Sequence, residues 1–172
     1  MSLIDVMKNR RSVREYTDED IPEEKLERII QAGLLAPTSR NRKPCKFIVV
    51  RDKETLNKLS KSKRTGSKML KGANVAIVVC ADADKADTWV EDSSIALSYM
   101  NLMAEEQGIG SCWVQIHLRK TGINRSSEDY VRELFNLDEK CRIVGILSLG
   151  MPDKKPDGHD LSDLDYDKVE YV

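Results

Sequence analysis

Two kinds of apolar pattern alternate along the chain. Largely apolar runs predict strands at residues 47–50, 73–81, 111–116 and 142–149, and the run at 73–81 is typical of a strand covered on both faces. Between these runs, apolar residues three and four positions apart predict helices within residues 20–36, 52–62, 89–107 and 126–135. Strands that alternate with helices predict one α/β or α+β domain over residues 1–172, with three layers and a sheet of about four or five strands.

Several predicted helix ends carry residues that suit them. Ser2 and Asp5 have the spacing of a capping box, so a first short helix is expected to open at Ser2. Asp20 followed by Pro22 predicts the start of the second helix. Pro37 stops that helix, and a polar loop rich in hydroxyl and amide groups is expected to follow it.

The helix predicted at residues 89–107 is apolar on nearly every side in its middle. A helix of this kind must be buried almost all round. In a chain of 172 residues, we expect a second subunit to supply part of that burial.

Composition narrows the class of protein. Hydrophobic residues make up 40% and charged residues 33%, with a net charge of −1, which argues against a general nucleic-acid binder. Within residues 40–71, however, twelve Lys or Arg face only two acids. This basic span is either a solvated face or a surface that attracts a phosphorylated substrate. Residues 153–172 are acidic, with seven acids against three lysines.

The remaining composition predicts a cytoplasmic protein. No apolar run approaches the ~18 residues that a membrane span needs, and the N-terminus has no apolar leader. The four cysteines are widely spaced, which favours free thiols over disulfides, and two histidines offer little for a zinc site.

The chemistry-bearing motifs point to a cofactor. The chain has no G-x-G-x-x-G fingerprint, no P-loop and no Ser or Cys nucleophile with a plausible histidine base. Arg10, Arg11, Ser12 and Arg14 form a dense cluster, and a guanidinium is well suited to a fixed anion. The cluster either lies solvated or holds an anion. Many anion-holding groups with few acid–base groups indicate a protein that binds a phosphorylated cofactor.

Four segments in order resemble the nitroreductase family of FMN-dependent oxidoreductases. They are the arginine cluster followed by Tyr16, the loop at residues 36–44, residues 108–113 and residues 150–152. The resemblance runs from about residue 4 to the C-terminus. It implies a three-layer sandwich with a central mixed sheet flanked by helices, and an intertwined homodimer with FMN sites shared between subunits.

The resemblance also implies roles for individual residues. Arg10, Arg11 and Ser12 match phosphate and ribityl contacts, and Arg14 matches the cation beside N1 and O2 of the flavin, where a fixed charge stabilises the reduced ring. Pro37, Thr38, Ser39 and Asn41 match a loop contributed by the opposite subunit. The remaining matched positions are Trp113, Val114 and Gln115 at the N5 side, and Gly150 and Lys155 at the C-terminal phosphate region. No dedicated acid or base and no metal are expected.

One departure concerns the C-terminal phosphate contact. Relatives carry a basic pair a little after the position of Lys155, whereas residues 157–160 here are acidic. Lys154, Lys155 or His159 are the substitutes that the sequence offers.

The predicted activity is hydride transfer from NAD(P)H through flavin N5 to a small acceptor, such as a nitroaromatic or a quinone, by a ping-pong mechanism. One alternative is a non-catalytic module that binds anions or nucleic acid through residues 40–71. Another is an FMN protein with a specialised reaction such as dehalogenation.

Overall fold

The computed structural model describes residues 2–172. The helices are α1 (Leu3–Asn9), α2 (Glu23–Leu35), α3 (Lys53–Leu59), α4 (Trp89–Glu106) and α5 (Ser127–Leu134). The strands are β1 (Glu15–Tyr16), β2 (Cys45–Val50), β3 (Val75–Asp82), β4 (Gly110–Gln115), β5 (Cys141–Gly150) and β6 (Pro152–Lys154). Every predicted helix and strand is present, with ends that move by at most three residues, as helix and strand limits commonly do.

The central sheet has four strands in the order β2-β3-β5-β4, and each neighbouring pair is antiparallel. One parallel bridge, between Ser12 and Ser111, attaches the N-terminal segment to the free edge of β4. Within residues 2–172, the mixed character expected of the sheet is confined to this bridge. The bridge matters because it brings the arginine cluster to the sheet edge.

Alternate residues of the central strands feed two separate cores. Val75, Ile77 and Val79 face one core, which also contains residues of α2 and α4. The intervening residues face a second core, which is closed by α3, α5 and a 3₁₀ turn at Lys68–Gly72. Because side chains alternate across a strand, a continuous apolar run supplies both cores, and the three-layer α+β fold is confirmed.

The first two helices begin differently from each other. Ser2 and Asp5 make the predicted capping box on α1. The prediction for α2 was wrong in its cap, because Pro22 occupies that position and no side chain accepts a capping hydrogen bond there. The acidic residues Glu23 and Glu24 instead occupy the first turn, where their negative charges interact favourably with the positive end of the helix dipole.

The last strand was not predicted. After Gly150 the chain continues as β6, which pairs antiparallel with β1 in a separate two-stranded sheet. The following residues, 155–172, are exposed and contain only short 3₁₀ turns. Across residues 2–172, every helix is too short or too polar to cross a lipid bilayer.

Candidate functional site

The arginine cluster is fixed to the edge of β4 through its backbone. Val13 donates its N–H to the carbonyl of Ser111 at 2.9 Å, and its side chain is buried. A Cβ added to Gly110 would lie 2.8 Å from the Val13 side chain, so only glycine leaves room for this approach. Consequently Arg10 and Ser12 stay half-buried while Arg14 extends into solvent.

Tyr16 fastens the far end of the same segment. Its hydroxyl donates to the carbonyl of Val13 at 2.8 Å and lies 2.9 Å from the Ser148 hydroxyl of β5. Burial raises the pKa of Tyr16, more than the hydrogen bond from Ser148 lowers it. The ring also packs on Gly150, where an added Cβ would lie 2.5 Å from it. Gly150 therefore serves this packing, whatever else it contacts.

Two lysines that sequence reasoning missed face Arg14. Lys68 and Lys71, on the 3₁₀ turn, line with Arg14 and Tyr16 a cleft of about 500 Å³ that is open to solvent. None of the three cations has a carboxylate within 4.0 Å in the part of the chain that the structure describes. Glu15 and Asp153 also line the cleft. The basic span was the only signal in the sequence for these lysines.

The predicted residues of β4 divide between the two faces of the sheet. Trp113 packs on the α4 side, and its indole N–H donates to the Gln115 side-chain carbonyl at 3.0 Å. Gly145 of β5 lies beneath it, since an added Cβ would lie 2.8 Å from the indole nitrogen. Val114 points into the opposite core and is fully buried, so only its backbone is available to a ligand.

The basic residues near the C-terminus, which the sequence offers as phosphate contacts, already have partners within the protein. Lys155 forms an ion pair with Glu105 of α4 at 2.5 Å. The Arg11 guanidinium donates to the backbone carbonyl of Asp157, and His159 donates its backbone N–H to the carbonyl of Lys8 at 2.9 Å. These contacts tie the start of the tail to α1, next to the arginine cluster.

The loop at residues 37–44 is held in a strained shape. Arg40, Asn41 and Lys43 have φ of 51°, 56° and 48°, in the left-handed region that residues other than glycine seldom adopt. Strain of this kind persists where the surroundings enforce it, and it is concentrated at functional sites. The Thr38 hydroxyl accepts the N–H of Lys43 at 3.0 Å and closes the loop.

Asp92 of α4 holds that loop from below. Its side chain is 2% exposed, accepts the N–H of Ser39 at 2.9 Å and accepts the Thr88 hydroxyl at 3.2 Å. At the surface, Arg42 pairs with Asp87 at 3.2 Å. Sequence reasoning missed Asp92, because an acid in the first turn of a helix normally faces solvent.

The structure brings some predicted residues together and leaves others apart. Ser12 and the β4 residues share one sheet edge. Within residues 2–172, no side-chain hydrogen bond or ion pair joins the loop residues Thr38, Ser39 and Asn41 to the arginine cluster or to Trp113. Within these residues, the two parts of the predicted site are therefore not joined by polar side-chain contacts.

A buried carboxylate lies just beyond the end of β4. Glu128 accepts hydrogen bonds from Arg142 at 2.7 and 3.2 Å and lies 2.5 Å from the His117 ring nitrogen. Burial alone would raise the pKa of Glu128, but the hydrogen bonds from Arg142 and His117 lower it below its usual value. Arg142 also lies over the Trp89 ring, 4.6 Å from its centroid.

Known proteins share both the sequence and the fold of this chain. The family model described as "Nitroreductase family" matches residues 7–66 and 57–151. A protein of Archaeoglobus fulgidus, with the provisional name NADH dehydrogenase/NAD(P)H nitroreductase, is 39% identical over 158 residues, which are 90% of this chain and 87% of that protein.

Solved structures agree with the family model. The FMN-dependent nitroreductase of Clostridium difficile is 43% identical and has a TM-score of 0.95, with 98% of both chains covered. A nitroreductase family protein from strain 630 of the same species is 32% identical, with a TM-score of 0.79 over 98% of this chain and 100% of that one. The chain belongs to the nitroreductase family.

Proposed function

We propose that this chain is an FMN-dependent oxidoreductase that takes hydride from NAD(P)H and passes it to a small acceptor, such as a nitroaromatic or a quinone. The observation that carries the proposal is the cleft at the sheet edge, where Arg14, Lys68 and Lys71 face one another without carboxylate partners within residues 2–172. The 43% identity to an FMN-dependent nitroreductase supports it.

The residues present fit FMN. The cofactor combines a phosphate with an electron-rich ring, so it needs separate groups for an anion and for the ring. Arg10, Arg11 and Ser12 lie at one end of the anchored segment, with hydrogen-bond donors suited to a phosphate. Arg14 lies at the other end, beside the lysines of the 3₁₀ turn.

When bound, FMN supplies hydride acceptance and donation at N5, in alternating half-reactions with the two substrates. Arg14 and Lys68 would supply positive charge to the ring, which becomes electron-rich at N1 and O2 when it is reduced. Fixed charge of this kind acts strongly because it needs no rearrangement during the reaction. Trp113 and Gln115 are assigned to the N5 side, with Val114 acting only through its backbone.

In this proposal, the C-terminal residues contribute less to phosphate binding than the family pattern implies. Lys155 is already neutralised by Glu105, and Arg11 is tied to the backbone at Asp157. Arg10 has no carboxylate within 4.0 Å in residues 2–172. We therefore assign the main phosphate contacts to Arg10 and Ser12, with Lys155 in a supporting position.

A homodimer would complete the site. Apolar side chains lie exposed on the layer formed by α1, α2 and α4, where Leu3 is 65% exposed and Leu35 78% exposed. A groove of about 380 Å³ on this layer is lined by Leu3, Met7, Tyr99 and Met103. An exposed apolar surface of this kind marks an interface. A partner covering it would bring its own loop of Thr38, Ser39 and Asn41, shaped by Pro37, to the first chain's arginine cluster.

Cofactor content and anaerobic reduction test the function. We expect the purified protein to bind FMN and turn yellow, and the colour to bleach on anaerobic addition of NADH or NADPH and return with a quinone. A colourless protein that fails to take up FMN, yet binds RNA with a steep salt dependence, would refute the proposal and favour the nucleic-acid alternative.

Substitution of Tyr99, which is partly exposed on α4, tests the shared site. Tyr99→Glu should give a monomer by light scattering and lose FMN, because a carboxylate would be buried without a partner at the interface. Ile123→Glu is the control, since Ile123 is 85% exposed in a loop after β4. A dimeric Tyr99→Glu variant would place the interface elsewhere.

A further inference from the structure

A second cationic cleft lies between the loops at residues 61–67 and 118–125. Its volume is about 250 Å³, and its lining includes the cations Lys63, Arg64, Arg119 and Lys120. A backbone hydrogen bond from the N–H of Arg64 to the carbonyl of Lys120, 2.9 Å long, joins the two loops. The cleft therefore gathers four positive charges from segments that are far apart in sequence.

These charges have no counter-charges of their own. None of the four cations has a carboxylate within 4.0 Å in the part of the chain that the structure covers. Two carboxylates of α5, Glu128 and Asp129, line a surface pocket together with Arg119, and both are paired with other cations. Glu128 pairs with Arg142 and His117, and Asp129 pairs with Arg132. The cleft thus differs from a solvated face in which opposite charges are interspersed.

The turn that carries Lys63 is fixed by hydrogen bonds, which keep this lysine in the same cleft as the other cations. The hydroxyl of Ser67, which is 1% exposed, donates to the carbonyls of Ser60 and Lys63 and fixes the turn. Burial, and then the charge of Arg119, lower the pKa of Lys63. An anion in the cleft would offset both effects, because it supplies the missing opposite charge.

Both loops of the cleft adjoin elements of the proposed cofactor site: residues 61–67 lead directly into the 3₁₀ turn that carries Lys68 and Lys71, and residues 118–125 follow β4. The half-buried and exposed cations Arg10, Arg14 and Lys63 all lie close enough to the Cys112 thiol of β4 for their charges to act on it. Burial raises the pKa of that thiol and these charges lower it. Residues 61–67 therefore connect the turn that carries Lys68 and Lys71 to the cationic cleft.

We propose that this cleft is a nucleotide-phosphate site that receives the phosphate groups of the reduced nicotinamide dinucleotide. Two arginines suit it, because their planar forks donate paired hydrogen bonds to phosphate oxygens. The inference rests on the proposed function, in which that dinucleotide is the hydride donor. The phosphates concerned are either the pyrophosphate, which NADH and NADPH share, or the 2′-phosphate, which only NADPH carries.

The test uses FMN-loaded protein with Arg64→Gln and Arg119→Gln combined. Both side chains are exposed, so the double variant should fold. In rapid mixing without oxygen, the Kd for NADPH should rise about tenfold, as expected for lost charge-assisted hydrogen bonds at the surface. The limiting rate of FMN reduction should stay the same. Reduction by a phosphate-free dihydronicotinamide should not change either.

Comparison of the two dinucleotides identifies the phosphate. An equal rise in Kd for NADH and NADPH assigns the cleft to the pyrophosphate, and a rise for NADPH alone assigns it to the 2′-phosphate. Arg51→Gln is the control, because Arg51 is exposed between β2 and α3 and does not line the cleft. It should leave every constant unchanged.

Two results would overturn the inference. One is an unchanged Kd for both dinucleotides in the double variant. The other is a loss of affinity for FMN as large as the loss for the dinucleotide, which would mean that the cleft binds the phosphate of FMN. A holoenzyme that neither dinucleotide reduces would refute the proposed function alone. In that case, calorimetry with adenosine 2′,5′-bisphosphate would still test the cleft. Binding to the wild-type protein that is lost in the double variant would support a nucleotide-phosphate site.

Discussion

Replacement of Asp92 by alanine should weaken FMN binding without unfolding the protein. The carboxylate is buried under the loop at residues 37–44, where it accepts the N–H of Ser39 at 2.9 Å and the hydroxyl of Thr88 at 3.2 Å. In that loop, Arg40 and Lys43 have left-handed backbones, which cost about 1–2 kcal/mol each. The contacts of Asp92 help to keep the loop in this strained conformation, so their loss should let the loop relax to a different one.

The size of the effect follows from the contacts that are lost. A hydrogen bond to a charged group contributes about 1.5–3 kcal/mol. If the loop reaches the cofactor bound by the partner, the Kd for FMN should rise roughly ten- to a hundredfold, since each 1.36 kcal/mol is about one factor of ten. Quenching of flavin fluorescence during titration of the apoprotein measures this change, and thermal unfolding reports the cost to stability.

Two variants serve as controls. Asp92→Asn keeps an acceptor for the N–H of Ser39 and should retain most of the affinity. Asp87→Ala removes a carboxylate that is 88% exposed and pairs with Arg42, an interaction expected to contribute about 0–1 kcal/mol. If Asp92→Ala lowers thermal stability while the FMN affinity stays at the wild-type value, the loop does not contact the cofactor and its assignment is wrong.

Other predictions address the cofactor, the sheet edge and the buried acid. Arg14→Ala should slow reduction of bound FMN in stopped-flow measurements, and unchanged kinetics in an FMN-saturated variant would remove its electrostatic role. Gly110→Ala should cost about 1–3 kcal/mol of unfolding free energy, because its Cβ would lie 2.8 Å from Val13. Gly122→Ala has open space and should be neutral. The lowered pKa of Glu128 means that its stabilising contribution is complete above about pH 4.3 and is lost as the pH falls through its folded-state pKa. In denaturant titrations, Glu128→Gln should be less stable at neutral pH and should lack that acid-side loss. Equal curves for variant and wild type would contradict this.

Much of the fold could be predicted because its signals are local. Apolar runs located β3 and β5, and apolar spacing located α4 to within one residue of its observed end. The cap of α2 and the strand β6 could not be predicted in this way. Pro22 can begin a helix without a side-chain cap, and β6 exists only because β1 lies beside it.

The arginine cluster was also visible in the sequence by itself. Guanidinium groups at this density indicate an anion whatever the fold, and the four ordered motifs identified the family. The sequence alone therefore determined the class of cofactor that the chain is expected to bind. It also determined that the helix at the centre of the predicted interface is too apolar for full exposure.

Only the tertiary structure decided how the site is assembled. Lys68 and Lys71 face Arg14 because the 3₁₀ turn packs beside β1, more than fifty residues away in sequence. Asp92 supports Ser39, and Arg64 meets Lys120, across similarly long separations. Pairings of this kind depend on how the layers pack, and no local propensity encodes them. The same packing turns Val114 away from the site while its neighbour Trp113 faces the α4 side.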